Sequence, residues 1–108
     1  MKSQYLYHYD KVENHPLKLE IKDLPVPQNN QVRIKVKACA VCRTDLHLIE
    51  AELAKNKLPI VPGHQVVGIV DELGAGVKNF KLGDRVGAFW LGLSCSECIY
   101  CKNSKENL

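Results

Sequence analysis

Alternating apolar and polar positions identify the clearest element of this chain, a strand over residues 31–38. Val32, Ile34, Val36 and Ala38 fall on one face, and the residues between them are lysine or arginine. A period of two is typical of a half-buried strand. Weaker alternation or β-branched and aromatic content predicts further strands over residues 5–9, 17–22, 66–73 and 83–90. Gly68 interrupts the strand predicted over residues 66–73 and predicts a bend or bulge there.

A helix is predicted from Thr44 to about Lys55. Its apolar residues recur near helical spacing, and Thr44 or Asp45 is the expected N-cap. Turns are predicted at 25–30, which contains two prolines, and at 74–76, which contains two glycines. Several short strands with one or two short helices indicate a mainly β domain, a barrel or a sandwich.

Composition excludes several classes of function. The 108 residues suit one domain, and 45% hydrophobic with 25% charged residues is ordinary for a folded globular protein. A net charge of +3 without any dense basic run predicts neither nucleic-acid nor membrane binding. The first residues lack the apolar stretch of a signal peptide, so a cytoplasmic location is expected.

Cysteine spacing carries the strongest chemical signal. Cys95, Cys98 and Cys101 follow a C-x2-C-x2-C pattern, which can arrange thiolates around one tetrahedral Zn²⁺. A closed zinc site takes four ligands, so a fourth must come from elsewhere. Five cysteines are an odd number, which favours metal-binding or catalytic thiols over a disulfide framework in a cytoplasmic chain.

The other two cysteines allow several interpretations on spacing alone. Cys42 and His64 suit part of a catalytic zinc site, but spacing alone favours an isolated buried thiol and a hydrogen-bonded histidine, because neither motif is specific for metal by itself. Cys39 and Cys42 also form a C-x2-C pair, which is compatible with a redox motif or with one four-cysteine site shared with Cys95 and Cys98. The glycines of 74–76 do not complete a dinucleotide fingerprint and indicate a turn.

Taken together, the motifs resemble the N-terminal catalytic domain of the zinc-dependent alcohol dehydrogenases, in the medium-chain dehydrogenase/reductase superfamily. The matching stretches, in the order in which the family carries them, are VCRTDLH at 41–47, PGHQVVG at 62–68, KLGDRV at 81–86 and CSECIYC at 95–101. The resemblance implies a GroES-like β-barrel with one or two short helices. It also implies that residues 1–108 belong to that domain, with a zinc-binding lobe from near residue 92 to 108.

The resemblance further implies two zinc sites. Cys42 and His64 would be ligands of a catalytic zinc, and Cys95, Cys98 and Cys101 would be ligands of a structural zinc. The family's fourth structural cysteine would fall at position 109. Its third catalytic ligand and its NAD- or NADP-binding Rossmann domain would also lie beyond residue 108.

The remaining implied roles surround the catalytic zinc. Thr44 would hydrogen-bond the substrate oxygen, His47 would carry the proton onward, and Arg43 would reach the cofactor pyrophosphate. Asp45 would orient a zinc ligand, and Trp90 would line the substrate pocket. Gln65 replaces the glutamate that the family commonly has, which removes a negative charge and predicts a more electrophilic zinc.

The expected function is therefore oxidation of a small-molecule alcohol to an aldehyde or ketone with NAD or NADP. Residues 1–108 alone are expected to be inactive, because they contain no seat for the cofactor. Two alternatives stay open: a stand-alone zinc-binding or adaptor module, and a nonfunctional remnant that self-associates through an apolar face. Nothing in these residues selects a particular alcohol or distinguishes NAD from NADP.

Overall fold

The computed structural model describes residues 1–53, 57–91 and 94–106. Within these ranges the chain forms two antiparallel sheets, two short α-helices and one 3-10 turn at Val12–Asn14. The elements are β1 (Lys2–Leu6), β2 (Leu17–Ile21), β3 (Val32–Cys39), α1 (Arg43–Ile49), β4 (Val66–Leu73), β5 (Arg85–Ala88) and α2 (Ile99–Lys102). Neither helix is long or apolar enough to cross a membrane, within the residues described.

Strand register brings three chain segments to one end of the larger sheet. β4 lies between β3 and β5 and is antiparallel to both. Cys39, at the end of β3, is opposite Val66, at the start of β4, and Val66 is opposite Ala88, at the end of β5. The loops that follow β3 and β5 and the loop that precedes β4 therefore meet at this end.

The buried core is small. Leu6 and Val70 are fully buried, and Tyr5 and Ile49 are the other large apolar side chains that are buried within the described residues. Leu6 also pairs with Ile60, which lies outside both sheets in the segment between α1 and β4, through two backbone hydrogen bonds of 2.8 and 3.1 Å. Between β1–β2 and the β3–β4 pair lies a mainly apolar groove of about 780 Å³, here called the inter-sheet groove.

The irregularity predicted at Gly68 is confirmed. The β3–β4 register shifts between Val36 and Ala38, opposite this residue. A Cβ atom at Gly68 would lie 2.4 Å from Ile34 Cγ2 and 2.6 Å from the Lys35 carbonyl oxygen. Such separations are far below van der Waals contact, so the close approach of β3 requires glycine here.

Two predicted boundaries are wrong. The first strand covers Lys2–Leu6 instead of 5–9, because the Leu6 backbone is the last to pair with β2 and then bonds to Ile60. α1 ends at Ile49, well before Lys55, which lies outside the described residues. Ala51 has a left-handed φ of 59°, and the Glu52 N–H bonds to the His47 carbonyl at 2.9 Å, which closes the helix.

The predicted cap is also wrong, since the N-cap is Cys42, and neither Thr44 nor Asp45 occupies that position. Asp45 is the third helical residue, and its carboxylate bonds back to the N-cap amide. The two residues thus form a capping box, in which a cysteine takes the place usually held by serine or threonine.

Substituting glycine for Ala51 is expected to stabilise the fold. A left-handed backbone costs a non-glycine residue roughly 1–2 kcal/mol, and part of that gain is offset by the greater freedom of glycine in the unfolded chain. We expect Ala51→Gly to raise the free energy of unfolding by about 0.5–1 kcal/mol in urea denaturation. Ala88→Gly, in β5, is the control and should be destabilising; a destabilised Ala51→Gly would contradict the assigned conformation.

Candidate metal centre

The first component of the site is Cys42, held at the start of α1. Its backbone is extended, with φ −125° and ψ 177°, and its N–H donates to Asp45 Oδ2 at 2.9 Å. The Asp45 N–H in turn bonds to the Cys42 carbonyl at 3.2 Å. These bonds fix the direction of the thiol relative to the helix.

His64 reaches the same place from the loop before β4. Gly63 precedes it with φ +126°, a backbone conformation that residues other than glycine rarely adopt. The Ala40 N–H bonds to the Gln65 carbonyl at 2.9 Å and fastens this loop to the end of β3. As a result, His64 Nε2 lies 3.1 Å from Cys42 Sγ, although the two residues are 22 positions apart.

Asp45 stands behind the imidazole. Its side chain is buried, with 5% residue exposure, and its Oδ1 atom lies 3.2 Å from His64 Nδ1. That contact is close enough for an ion pair but is not aligned as a hydrogen bond, and Oδ1 has no hydrogen-bond partner within the described residues. A carboxylate beside one imidazole nitrogen orients the other nitrogen toward a metal, here toward Cys42.

This arrangement fits zinc. Two ligands on a tetrahedral zinc, one sulfur and one nitrogen, lie about 3.6 Å apart, slightly more than the distance from Cys42 Sγ to His64 Nε2. Hydrogen bonds from the Thr44 hydroxyl and amide lower the pKa of the Cys42 thiol, with a smaller contribution from His64. A thiol that ionises more readily is a better metal ligand, because the thiolate is the binding form.

The residues along α1 form a chain of polar groups leading away from this centre. Thr44 is exposed beside Cys42, and His47 is half-buried about one turn later. His47 Nδ1 is paired with the carboxylate oxygen Oε2 of Glu52. Glu52 carries no sequence signal for this role, because only the left-handed turn at Ala51 brings its carboxylate back to the helix.

The other predicted site residues are Arg43 and Gln65, the chain neighbours of Cys42 and His64, and Trp90, which follows β5. Arg43 and Gln65 are exposed, and neither side chain forms a hydrogen bond or ion pair with another described residue. Trp90 is 64% exposed and packs edge-to-face on Phe89, with ring centroids 6.5 Å apart. It follows the end of β5, so it leaves the sheet at the end where His64 enters β4.

A second group, here called the cysteine knuckle, contains Cys95, Cys98 and Cys101. Cys95 Sγ and Cys101 Sγ are 3.7 Å apart, close to the roughly 3.8 Å that separates two thiolates on a tetrahedral zinc. The Cys98 N–H donates to Cys95 Sγ and the Cys101 N–H to Cys98 Sγ, both at 3.4 Å. The knuckle therefore offers three converging thiols, while residues 92–93 of the predicted lobe lie outside the described residues.

Two thiols of the cysteine knuckle have pKa values shifted in opposite directions by their surroundings. Amide groups of Glu97 and Cys98 lower the pKa of Cys95 to about 7. The neighbouring Cys98 thiol and burial raise the pKa of Cys101. Metal binding at the knuckle is thus coupled to proton release, as expected for any thiolate site.

The alternative of one shared four-cysteine site is wrong for the part of the chain that the structure describes. The candidate metal-binding groups found there are the Cys42–Asp45–His64 group and the cysteine knuckle, and Cys39 belongs to neither. The Cys39 thiol instead faces Gly63 and lines the inter-sheet groove.

Comparison with known proteins gives a consistent result. Residues 28–108 match the family model of the alcohol dehydrogenase GroES-like domain. An alcohol dehydrogenase of Geobacillus stearothermophilus is 48% identical over 93 residues, which are 83% of this chain and 27% of that protein. A probable cinnamyl alcohol dehydrogenase 6 of Oryza sativa subsp. japonica is 45% identical over 78 residues, or 72% of this chain and 22% of that protein.

Solved structures agree with the sequence matches. The structure of an NAD-dependent alcohol dehydrogenase superposes with a TM-score of 0.87 and 31% identity, over all of this chain and 31% of that one. A cobalt- and zinc-bound thermostable alcohol dehydrogenase from Pyrobaculum aerophilum gives a TM-score of 0.88 at 26% identity, over 99% of this chain and 31% of that one. This chain therefore spans less than a third of the length of these relatives.

The strand order and the converging side chains of Cys42 and His64 define a β domain with a candidate metal site at one end of a sheet. The chain belongs to the alcohol dehydrogenase GroES-like domain family. The fold predicted from the sequence motifs, mainly β with a few short helices, is confirmed.

Proposed function

We propose that residues 1–108 form the metal-binding catalytic part of a zinc-dependent enzyme that oxidises an alcohol to an aldehyde or ketone with NAD or NADP. The observation that carries this proposal is the 3.1 Å approach of Cys42 Sγ to His64 Nε2, with Asp45 behind the imidazole. Relatives whose names describe alcohol dehydrogenases support it.

In this proposal Cys42 and His64 hold the zinc, which would act as a Lewis acid and lower the pKa of an alcohol in the site. Asp45 keeps the His64 ring in the orientation that presents Nε2. Because Asp45 faces the opposite ring nitrogen, it serves as a positioning carboxylate and not as a third ligand.

The polar groups on α1 give the alcohol proton a path out. The Thr44 hydroxyl, next to the Cys42 thiolate, accepts a hydrogen bond from the hydroxyl group of the alcohol. His47 passes the proton on, because imidazole can both accept and donate a proton. Glu52 bonds to His47 Nδ1, so the ring presents Nε2 on its other side. The exposed carboxylate then connects the path with solvent.

The remaining residues serve binding. Arg43 is exposed at the first position of α1, where its planar guanidinium suits a cofactor pyrophosphate. Trp90 supplies an aromatic wall for the alcohol, and Gln65 leaves the surroundings of the zinc less negative than a glutamate would. The cysteine knuckle holds a structural zinc with one further ligand.

Glu52→Gln tests the proton path. Measured in a chimera in which these residues replace the corresponding segment of the Geobacillus stearothermophilus alcohol dehydrogenase, kcat is expected to fall by about tenfold or more with little change in KM, because glutamine preserves size but weakens the hold on His47. The matched control is Glu50→Gln, since Glu50 instead caps the Val12 N–H at 3.0 Å. Equal kcat in the two variants would remove Glu52 from the path.

A chimera is the sharpest test of the proposed function. In it, these residues replace the corresponding segment of the Geobacillus stearothermophilus alcohol dehydrogenase, which is 48% identical over the aligned part. We expect alcohol oxidation with the cofactor of that enzyme, loss of the activity in the Cys42→Ser chimera, and no turnover by residues 1–108 alone. A folded, zinc-loaded chimera without turnover would refute the enzymatic role and favour a zinc-binding module.

A further inference from the structure

Cys39 is the cysteine whose role the proposed function leaves open. It is three residues before Cys42, yet it belongs to neither candidate metal group among the residues described. It ends β3, directly opposite Val66, and so stands beside the loop that carries His64.

Cys39 Sγ lies over the side of Gly63 that a side chain would occupy. A Cβ atom placed on Gly63 would lie 2.9 Å from Cys39 Sγ, a separation that real Cβ atoms essentially never show. The sulfur therefore occupies the space that a side chain at position 63 would need. The left-handed φ of +126° at Gly63 turns this open side of the backbone toward β3.

Two restraints thus act on either side of His64. On one side, Cys39 Sγ packs against Gly63; on the other, the Ala40 N–H bonds to the Gln65 carbonyl at 2.9 Å. The restraints come from Cys39, the last residue of β3, and from Ala40, which follows it, and Cys42 lies only two residues further along the chain. The distance between Cys42 Sγ and His64 Nε2 is therefore set by how the end of β3 packs on the loop 62–65.

We propose that Cys39 is a positioning residue for the metal centre, a wedge that holds Gly63 so that His64 meets Cys42. This rests on the proposed zinc site at Cys42 and His64. It assigns Cys39 neither a ligand role nor a redox role: the sulfur acts through its size, and the thiol proton and thiolate play no part.

The experiment measures zinc at His64 directly in the 108-residue protein. With ¹⁵N-labelled histidine, the ring nitrogens of His64 report zinc occupancy while a chelator competes for the metal, and His64→Gln assigns the signal. The variants are Cys39→Ser, Cys39→Ile and the control Val36→Leu, which changes another exposed, groove-lining residue of β3. Urea denaturation of each variant reports stability separately.

We expect Cys39→Ser to bind zinc at His64 nearly as well as the native protein, because a hydroxyl nearly preserves the size of the thiol. Cys39→Ile should bind about tenfold more weakly or worse, the range seen when a residue that orients a ligand is lost. Its β-branched side chain is stiff and leaves few rotamers that avoid Gly63. Val36→Leu should bind like the native protein.

A double substitution tests the contact itself. Gly63→Ala should weaken zinc binding at His64, and adding Cys39→Ala should restore part of the loss, because removing the sulfur opens the space that the new Cβ needs. Strictly additive effects would overturn the wedge, since residues in contact show coupling.

The outcomes separate this inference from the proposed function. If the native protein shows no zinc effect on His64, zinc binding by Cys42 and His64 within residues 1–108 is refuted, and with it the premise of this inference. If the native protein binds and Cys39→Ser loses zinc, Cys39 is a ligand and the wedge is wrong. If Cys39→Ile binds like the native protein, the wedge is also wrong, whatever its stability.

Discussion

Replacing Cys42 with serine is expected to remove zinc from the His64 centre and leave the cysteine knuckle loaded. A hydroxyl is not among the usual zinc ligands, so the site loses one of the two ligand atoms that converge there. The loss of affinity should exceed the roughly 10–100-fold that follows removal of a residue that only orients a ligand. The fold itself should survive, because serine is a good N-cap for α1.

Metal analysis of the purified variant, together with the His64 ring signals, checks this expectation. Cys101→Ser is the matched control and should show the opposite pattern, with zinc kept at His64 and lost from the knuckle. If Cys42→Ser lowers the zinc content of both groups equally, or of the knuckle alone, then the two centres are not independent in the way the structure indicates.

Replacing Asp45 with asparagine is expected to weaken zinc binding at the same centre by about 10–100-fold. Asparagine can still accept the hydrogen bond from the Cys42 N–H, so the start of α1 should remain formed. What it loses is the negative charge 3.2 Å from His64 Nδ1, which favours the ring orientation and makes Nε2 a stronger ligand.

A remote aspartate provides the control for this effect. Asp84 Oδ2 accepts the Lys81 N–H at 2.9 Å in the turn before β5, so Asp84→Asn changes the same chemistry far from the ligands in sequence. Competition for zinc with a chelator should distinguish the variants: native and Asp84→Asn alike, Asp45→Asn weaker. Unchanged binding in Asp45→Asn would show that the carboxylate does not orient His64.

Local sequence patterns predicted β3 and β4 well, because the apolar and β-branched residues of each strand are sufficient to indicate it without information from the rest of the chain. β3 and β4 appear where the apolar residues of 31–38 and 66–73 indicated, and Gly68 marks the close approach that its lack of a side chain permits. The end of α1 was not predictable in this way. Apolar spacing continues to Leu53, but the left-handed residue Ala51 closes the helix earlier, and alanine gives no sequence signal for that conformation.

In the candidate site, too, one group of residues was predictable from local spacing, and the other depended on contacts between distant parts of the chain. The C-x2-C-x2-C spacing of Cys95, Cys98 and Cys101 predicted a metal group by itself, because a short local turn is enough to bring the three thiols together. Pairing Cys42 with His64 required the antiparallel register of β3 and β4, which spacing alone left undecided. The same register excludes Cys39 from the ligand group and turns it toward Gly63.

Cadmium-113 NMR of the 108-residue protein with ¹⁵N-labelled histidine tests the central claim most directly. We expect one cadmium signal that is coupled to His64 Nε2 and lost in Cys42→Ser, and a second, uncoupled signal from the cysteine knuckle. Coupling to Nδ1 instead, or cadmium bound only by the cysteine knuckle, would contradict a metal centre shared by Cys42 and His64.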